Sequence, residues 1–419
     1  MVSQVTTPDP ASALLSRILA RFDPTAFDVP DGRARVRLVV TDAGQATASW
    51  DAVVSAAGAE LASAATRTRP DALLAADLAT WGRIADDVRA GMAAFRSGRL
   101  SVRHNLHLAI GLLAATAARE PGRLEVLCVG TPAGRVSTLQ AGAGEPVVMV
   151  HGLGATKASF LPTIAALAST HRAIAMDLPG FGDAQKPLRA AYDAPFFARS
   201  VVDMLDTLGL ERFHLIGHSL GGRVALEVAL RSPGRLQSVT LLTPSMAWRR
   251  TRLWAPYLRL VRPELGLFQP VPRALVDPLV RRLVPHTDHG WGAVAVDEFM
   301  RGFLDPRGRA AFYAAARNIY LEQPNGPEGF WDRLPGMTTP ALFVWGRRDR
   351  LVPAAFARHV AQALPEAAQL FLDCGHVPQL ESPAAVHAAI QEFLLSHRFR
   401  VARFRSSSAL ARVAAALRH

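Results

Sequence analysis

The sequence of 419 residues predicts two folded regions, an α/β region at residues 121–398 with a mainly parallel sheet and a smaller α+β region at residues 1–120. Three observations support this prediction. Short apolar runs alternate with helix-like stretches through the longer region, as in a sheet that helices cover on both faces. The alternation is interrupted once, between residues 244 and 335. The N-terminal region differs from the longer region, because basic and apolar residues alternate in Arg35–Val40 at the two-residue period of a strand.

Eight short, mostly apolar runs account for the sheet of the longer region. Such runs are typical of strands that are buried on both faces. Helical spacing fills most of the intervals between them, for example in Phe197–Leu208 and Gly222–Arg231. In chain order the predicted strands are Leu124–Val129, Val136–Gln140, Val147–Val150, Ala173–Met176, Phe213–Ile216, Val239–Leu242, Ala341–Trp345 and Gln369–Leu372.

The interruption at residues 244–335 contains many prolines, no strand-like run and four of the seven tryptophans. We interpret this segment as a helical cap inserted over the carboxyl edge of the sheet. Trp248 and Trp254 are candidate substrate-binding residues, because a cluster of aromatic side chains favours an apolar acyl or ring group in a pocket. Packing in the interior of the cap is the alternative role for each of them.

The N-terminal region is predicted to form a small sheet with helices. A hairpin joins its first two strands across Asp42-Ala43-Gly44. Apolar residues at spacings of three and four predict one amphipathic helix over Asp77–Phe95. Leu106–Leu113 is apolar nearly all round, and we expect a helix that is buried or lines an apolar cavity. The predicted strands are Arg35–Val40, Ala46–Trp50, Asp71–Ala76 and Leu100–Val102.

The composition favours a folded protein, since 50% of the residues are hydrophobic and 20% are charged. A net charge of +12 would ordinarily suggest nucleic acid as a partner. However, residues 397–419 carry six arginines and no acid and therefore supply half of that charge. No nucleic-acid-binding motif accompanies the charge, and we expect no nucleic-acid partner.

The basic tail at residues 399–419 leaves two interpretations open. Leu410, Val413 and Leu417 lie at helical spacing, which favours peripheral membrane contact through residues 397–419. The serines at 406–408 would interrupt a helix and favour a solvated chain end. Two cysteines, no recognisable signal peptide and no apolar run of ~20 residues together predict a cytoplasmic location, with membrane association left open.

The clearest chemical signal is the sequence Gly217-His218-Ser219-Leu220-Gly221. It directly follows a predicted strand and directly precedes a predicted helix. In this context the central serine of G-x-S-x-G occupies a sharp turn and acts as a nucleophile, and the flanking glycines allow the backbone segments to approach closely. Ser219 is therefore the candidate nucleophile.

Two backbone N–H groups are predicted to hold an oxyanion beside this serine. Leu220 supplies one, because it opens the helix that follows Ser219. Leu153 supplies the other, within His151-Gly152-Leu153-Gly154 after another strand. Gly152 and His218 lie beside these positions in the sequence and are further candidate substrate-binding residues.

An acid and a base follow two later strands. Asp349 comes after the strand ending at Trp345, and His376 comes after the strand ending at Leu372. The order Ser219, Asp349, His376 is the nucleophile–acid–base order that accompanies this serine turn. His376 would deprotonate Ser219, and Asp349 would orient the imidazole. Asp373, close to the base, is a weaker alternative acid.

With these motifs, and with Asp177–Gly182 similar to a D-x-P-G-x-G turn, residues 121–398 resemble the α/β-hydrolase superfamily. The resemblance implies a mostly parallel eight-stranded sheet with helices on both faces, a helical cap and hydrolysis through an acyl-serine. The turn at 177–182 has an architectural role in that superfamily. Serine at position 219 separates this sequence from dehalogenases and epoxide hydrolases, which have an aspartate there. The chemistry needs no metal or organic cofactor.

Several segments of the N-terminal region form a second series: Asp71–Ala76, Thr80-Trp81 at a helix start, Gly98–Arg103 and Leu106–Leu113. They resemble the sterol-carrier (SCP2-like) lipid-binding fold. This resemblance implies a sheet and helices around a tunnel for fatty acyl chains or sterols, so a lipid is the expected ligand of this domain. His104-Asn105 stands where a Gly-Asp pair is commoner. A plain α+β packing domain is the alternative.

Together the two resemblances predict a lipid-binding domain at 1–120, a hydrolase domain at 121–398 with a cap at 244–335, and a basic tail at 399–419. The expected function is hydrolysis of a lipophilic carboxylic ester, a small-molecule substrate, by a lipase- or esterase-like enzyme. C–C bond hydrolysis and acyl transfer would use the same three residues and stay open. A non-catalytic lipid-binding or carrier protein is the third alternative.

Overall fold

A computed structural model describes residues 9–65, 68–87, 90–247, 257, 260, 262–269, 272–274, 276, 278 and 290–398. The chain divides into two compact units, the first unit at 1–127 with 271–301 and the second unit at 128–270 with 302–419. Residues 271–301, which the sequence analysis counts with the cap, cluster with the first unit. Trp248, Trp254 and the tail at 399–419 lie outside the described residues.

The described strands form two sheets. The strands of the first sheet are β1 (Arg33–Asp42), β2 (Gln45–Ser55), β3 (Gly58–Ser63), β4 (Ala72–Asp77) and β5 (Leu100–Arg103). The strands of the second sheet are β6 (Glu125–Thr131), β7 (Gly134–Ala141), β8 (Pro146–Val150), β9 (Arg172–Met176), β10 (Phe213–His218), β11 (Leu236–Leu242), β12 (Ala341–Gly346) and β13 (Ala368–Leu372).

The described α-helices cover the sheets and connect their strands. They are α1 (Pro10–Leu19), α2 (Leu78–Asp86), α3 (Ala90–Arg96), α4 (Leu106–Ala115), α5 (Leu161–Leu167), α6 (Ala194–Thr207), α7 (Leu220–Arg231), α8 (Gly290–Leu304), α9 (Pro306–Leu321), α10 (Phe330–Arg333), α11 (Ala357–Ala363), α12 (Pro378–Glu381) and α13 (Pro383–Arg398). None of the helices in the described ranges is long and apolar enough to cross a bilayer.

The first sheet has the strand order β3-β2-β1-β4-β5. The predicted hairpin of β1 and β2 is confirmed: Asp42 pairs with Gln45. The two residues between them, Ala43 and Gly44, have φ angles of 47° and 81°. Positive φ at both positions is what a tight two-residue hairpin turn requires. Strand β3 is absent from the sequence prediction, because its alanine-rich segment is largely exposed and lacks apolar alternation.

The prediction of one helix over Asp77–Phe95 is wrong. Helix α2 ends at Asp86, and α3 begins at Ala90. At Asp87 the backbone is extended, with φ −145° and ψ 112°. Aspartate side chains compete for backbone hydrogen bonds and disfavour helix interiors, so two consecutive aspartates are a physical reason for the break.

Helices α2 and α4 supply much of the buried surface of the first unit. Trp81 of α2 is buried, and its indole N–H donates to the Val39 carbonyl of β1 at 3.0 Å. Helix α4 is buried on nearly all sides, as its apolar sequence predicts. The Phe27 ring packs directly on its backbone at Gly111, where an added Cβ would lie 2.3 Å from the ring. Only glycine permits that contact.

Two acids of α8 hold residues 271–301 in the first unit. The Arg103 guanidinium donates to Asp297 at 2.7 Å, and the His104 backbone N–H donates to the same carboxylate at 3.2 Å. The Leu106 backbone N–H donates to Glu298 at 2.8 Å. That N–H belongs to the first turn of α4, where backbone donors have no partner within the helix. Carboxylates thus fix this segment to the end of β5 and the start of α4.

The second sheet has the order β13-β12-β11-β10-β8-β9-β7-β6, so the prediction of a mostly parallel eight-stranded sheet is confirmed. Parallel pairing runs from β9 through β8, β10, β11 and β12 to β13, and β7 pairs antiparallel with β9. The eight predicted strands all occur, with ends shifted by at most three residues. Because parallel strands end at the same edge, the segments after β8, β10, β12 and β13 lie together.

Candidate active site

Ser219 occupies a strained turn between β10 and α7. Its φ of 52° and ψ of −114° lie outside the regions that non-glycine residues usually adopt. Neighbouring backbone holds this conformation: the Ser219 N–H donates to the Leu242 carbonyl at 3.0 Å, and the Ser219 carbonyl accepts from the Ser245 N–H at 2.9 Å. Strain of this kind persists only where surrounding contacts fix it, and it is common at reactive positions.

The two glycines that flank Ser219 in the motif are required by close backbone contacts. A Cβ on Gly217 would lie 2.3 Å from the Gly221 carbonyl oxygen. A Cβ on Gly221 would lie 2.0 Å from the Val150 carbonyl oxygen at the end of β8. The sequence pattern G-x-S-x-G therefore has a direct steric cause at both ends of the turn.

Ser219, His376 and Asp349 form a chain of hydrogen bonds at the carboxyl edge of the second sheet. The Ser219 hydroxyl lies 2.9 Å from His376 Nε2, and His376 Nδ1 lies 2.7 Å from Asp349 Oδ2. The other carboxylate oxygen of Asp349 accepts from the backbone N–H groups of Leu351 and Val352, at 2.7 and 2.9 Å. The acid is buried and oriented, and the imidazole connects it to the hydroxyl.

Asp373, the weaker alternative acid, has a different environment. It pairs with Arg348 at 3.0 Å, and both side chains are largely exposed, at 78% and 68%. In this arrangement Asp349 is the carboxylate that contacts His376.

The two predicted oxyanion donors are the backbone N–H groups of Leu153, in the loop after β8, and Leu220, directly after Ser219. Leu220 is the first residue of α7, where backbone N–H groups lack partners within the helix. Leu153 lies in the loop after β8. In the same loop, a Cβ on Gly152 would lie 3.1 Å from the Ser219 Cβ and 2.9 Å from His218 Nδ1. The loop backbone therefore approaches the serine closely.

His218 and Thr243 contact the backbone of His376 rather than its ring. The His218 Nε2–H donates to the His376 carbonyl at 2.7 Å, and the Thr243 hydroxyl donates to the same oxygen at 2.8 Å. Burial, and to a smaller extent the neighbouring His376, lowers the pKa of His218 to about 3. The neutral imidazole of His218, a candidate substrate-binding group in the sequence, thus contacts the backbone of His376. Sequence reasoning missed Thr243.

A buried cluster of charges anchors the loop after β8. The Lys157 ammonium contacts Asp177 at 2.6 Å and Asp183 at 3.2 Å, and the Lys157 backbone N–H donates to Asp177 at 2.7 Å. Burial opposes ionisation of Asp177, but the ammonium group outweighs it and lowers the pKa of that carboxyl. His151 adds a link, since its Nε2 accepts from the Leu178 N–H at 3.0 Å. The turn at 177–182 thereby supports the loop that carries Leu153.

A second charge cluster fixes α7, the helix that begins after Ser219. Arg223 is buried and pairs with Glu227 at 2.9 Å and with Glu322. Glu227 also accepts from Arg333 at 2.8 Å and from Arg231 at 2.5 Å. Burial opposes ionisation of Glu227, but these guanidinium groups lower its pKa to about 2. Within the described ranges, no group of three or more His, Cys, Asp or Glu could hold a metal ion.

Comparison with known families identifies both units. Residues 145–383 match the alpha/beta hydrolase fold family, and residues 27–114 match the SCP-2 sterol transfer family. The first match covers more than half of the chain, which therefore belongs to the alpha/beta hydrolase fold family. Its N-terminal region is an SCP-2 domain, as the sequence predicts.

Individual relatives differ in their named activities. The chain is 31% identical to the dihydrolipoyllysine-residue acetyltransferase component of the acetoin cleaving system of Pseudomonas putida, over 61% of this chain and 64% of that protein. It thus spans just under two thirds of that relative. It is 28% identical to 2-hydroxymuconate semialdehyde hydrolase of Pseudomonas sp. strain CF600, over 66% and 94% of the two chains.

The chain is also similar to solved structures, among them a phospholipase. The chain resembles a bacterial membrane phospholipase A with a TM-score of 0.51 and 26% identity, over 66% of this chain and 87% of that one. The matches establish an α/β-hydrolase, and the names of these relatives include an acetyltransferase component, a semialdehyde hydrolase and a phospholipase A.

Proposed function

We propose that this protein is a serine hydrolase that cleaves a lipophilic carboxylic ester through an acyl-serine intermediate. One observation carries the proposal: the Ser219 hydroxyl, the His376 imidazole and the Asp349 carboxylate form a continuous chain with contacts of 2.9 and 2.7 Å. A hydroxyl is a weak nucleophile on its own and needs an adjacent base that a third group orients.

The proposed reaction has two halves. Ser219 Oγ attacks the ester carbonyl while His376 Nε2 takes its proton, and the N–H groups of Leu153 and Leu220 bind the oxyanion. The protonated His376 then gives the proton to the departing alcohol, which leaves an acyl-serine. A water molecule loses a proton to His376, attacks the acyl group and releases the acid with the proton returned to Ser219. Asp349 stays ionised and stabilises the imidazolium.

Two observations support a lipophilic substrate: the SCP-2 domain in the same chain and the structural similarity to a phospholipase. The same chain carries an SCP-2 domain, whose helix α4 is apolar and buried on nearly all sides. A phospholipase is among the proteins with similar structures. We propose Gly152, Trp248 and Trp254 as contacts for the acyl or alcohol group, and we propose that the SCP-2 domain binds a lipid.

A series of p-nitrophenyl esters from acetate to palmitate, hydrolysed by the full chain, tests this proposal. We expect kcat/KM to rise with acyl length, and Ser219→Ala to reduce kcat by about 10⁴-fold or more while the protein stays folded. Unchanged turnover by Ser219→Ala would exclude the mechanism. A flat dependence on acyl length would exclude the lipophilic substrate class but keep the serine chemistry.

A second candidate function, C–C hydrolysis or acyl transfer, is favoured by two named relatives. One is a semialdehyde hydrolase and the other an acetyltransferase component. Both reactions would use Ser219, Asp349 and His376. Product analysis with a β-diketone substrate, and with an ester in the presence of an acceptor alcohol, separates these reactions from ester hydrolysis.

The proposed lipid binding by the SCP-2 domain is tested by ligand binding after the serine is blocked. We expect a fluorescent fatty acid to bind saturably to the full chain after a fluorophosphonate has occupied Ser219. Loss of all binding after the block would place the lipid at the hydrolase site and remove the proposed role of the SCP-2 domain. A cytoplasmic location and membrane contact through residues 397–419 stay predictions.

A further inference from the structure

A short 3₁₀ turn of the cap, Pro263–Leu267, has two unlike edges. In a 3₁₀-helix, residues three apart lie above one another. Pro263 and Gly266 form one such edge and are buried. Arg262, Leu265 and Phe268 follow the same three-residue spacing and are exposed, Leu265 at 62% and Phe268 at 81%. The turn therefore presents two large apolar side chains and an arginine to the outside.

Helix α9 holds this turn firmly through Arg309. That side chain is buried, at 4% exposure, and its guanidinium donates to the Gly266 carbonyl at 2.8 Å and to the Gln269 carbonyl at 2.9 Å. The Tyr313 hydroxyl also donates to the Gln269 side chain at 2.8 Å. Burying a guanidinium is costly unless its donors are satisfied, so these bonds fix the backbone of the turn. The exposed apolar edge is consequently part of an ordered arrangement.

Two residues before the turn are also large, apolar and exposed. Tyr257 and Leu260 are 69% and 78% exposed. We call Tyr257, Leu260, Arg262, Leu265 and Phe268 the cap edge. In the sequence, residues 248–270 contain five arginines, two tryptophans and a single acid, Glu264. Leucine and aromatic side chains next to arginine are typical of segments that lie in the interface of an anionic membrane.

We propose that the cap edge docks the protein onto an anionic lipid bilayer. Leu265 and Phe268 would enter the acyl boundary, and Arg262 would meet lipid phosphates. In the sequence, residues 248–270 carry a net positive charge, which favours anionic headgroups over a second copy of this segment. The cap edge contains no residue of the Ser219 site, so docking is separate from the chemistry there. A docked enzyme would have its ester substrate, as proposed above, at hand in the bilayer.

Vesicle cosedimentation of the full chain tests this proposal. The vesicles are phosphatidylcholine with phosphatidylglycerol in equal parts, and phosphatidylcholine alone is the neutral reference. We expect wild type to bind the anionic vesicles. The double variant Leu265→Ser/Phe268→Ser should bind them at least about tenfold more weakly. Leu188→Ser/Leu395→Ser is the matched control, because it removes two leucines that are 44% and 51% exposed elsewhere. It should bind like wild type.

Two further variants isolate the cause. Arg262→Glu keeps the apolar side chains and should weaken binding to anionic vesicles selectively, which guards against a folding defect in the double serine variant. Ser219→Ala should bind vesicles like wild type, so a failure of the proposed chemistry leaves this test intact. Hydrolysis of soluble p-nitrophenyl acetate should be the same in the double serine variant as in wild type.

Three results would overturn the proposal. They are failure of wild type to bind anionic vesicles, binding of the double serine variant as tight as that of wild type, and equal loss of binding in both double variants. Sedimentation velocity without vesicles gives a fourth result: self-association of wild type that the double serine variant abolishes would make the cap edge an interface between copies of this chain.

Discussion

Each unit contains a buried carboxylate that accepts several hydrogen bonds, Asp51 in the first unit and Asp349 in the second, but the two carboxylates have different roles. In the first unit, Asp51 accepts two bonds from the Arg37 guanidinium, at 2.8 and 3.2 Å, and one from the Ala65 backbone N–H at 3.0 Å. In the second unit, Asp349 accepts two backbone N–H groups and the His376 imidazole. Both carboxylates accept backbone N–H groups, one at Asp51 and two at Asp349, and the side-chain partner differs.

That partner determines what each cluster does. A guanidinium is always protonated and has no acceptor, so Asp51 with Arg37 can only hold structure. An imidazole gives and takes a proton near neutral pH, and its second nitrogen contacts the Ser219 hydroxyl at 2.9 Å. The same motif therefore stabilises the SCP-2 domain in one unit and supports the proposed proton transfer in the other.

The largest effect is expected from Asp349→Asn. The amide keeps the size of the side chain but no longer favours the required tautomer of His376, so kcat for ester hydrolysis should fall by about 10⁴-fold. Initial-rate assays with a p-nitrophenyl ester measure kcat, and circular dichroism checks that the variant is folded. Asp373→Asn is the matched control, since that exposed carboxylate pairs with Arg348. Similar losses in both variants would contradict the assignment of Asp349.

The equivalent change in the first unit, Asp51→Asn, should affect stability instead. It leaves Arg37 without its counter-charge at a buried site and should lower the free energy of unfolding by about 3 kcal/mol. Urea unfolding measures this loss. Turnover of a soluble short-chain ester by the folded fraction should be unchanged. A loss of kcat as large as that of Asp349→Asn would contradict the division of labour between the units.

Acid sensitivity gives a smaller effect, through His218. Its folded-state pKa of about 3 lies below the ordinary histidine value of 6.5, so between these pH values the unfolded chain binds a proton that the folded chain does not. The stability that neutral His218 provides is present above about pH 6.5 and is lost as the pH falls towards 3. His218→Gln does not titrate, and it should show a smaller loss of unfolding free energy between about pH 7 and about pH 5.

Urea unfolding of wild type and His218→Gln at both pH values provides the measurement. Carboxylates titrate mostly below this window, so their lowered pKa values do not produce the difference. An equal slope in both proteins would mean that folding does not change the pKa of His218.

The smallest effect is expected from Thr243→Val. The change removes one of two donors to the His376 carbonyl and keeps the branched shape of the side chain. Looser placement of the base should lower kcat by about tenfold with little change in KM. Thr243→Ser keeps the hydroxyl and should restore kcat. If the serine variant were as slow as the valine variant, the hydroxyl would not position His376.

Much of the second unit could be predicted because its signals are local. Buried parallel strands appear as apolar runs, and a serine turn appears as glycines at fixed spacing around Ser219. Asp349 and His376 could be placed because the carboxyl ends of parallel strands share one edge. The role of Thr243 could not be predicted, since its contact with His376 joins residues 133 positions apart and leaves no periodic pattern.

The first unit shows the same limit. The hairpin and the apolar helix α4 follow from local alternation and composition. Strand β3 has no fully buried residue, so its sequence lacks the apolar alternation that predicts a strand. The attachment of Asp297 to Arg103 spans 194 positions, and proline-rich sequence around it indicates only an irregular cap. Sequence patterns identify elements, whereas contacts between distant polar residues require the folded chain.

Labelling with a fluorophosphonate, followed by peptide mass spectrometry, tests the central claim that the second unit activates Ser219. We expect one adduct, on the peptide that contains Ser219, in wild type and in Asp51→Asn. Labelling should be much slower in Asp349→Asn and absent in Ser219→Ala. An unlabelled folded wild type, or an adduct on another residue that persists in Ser219→Ala, would contradict the claim.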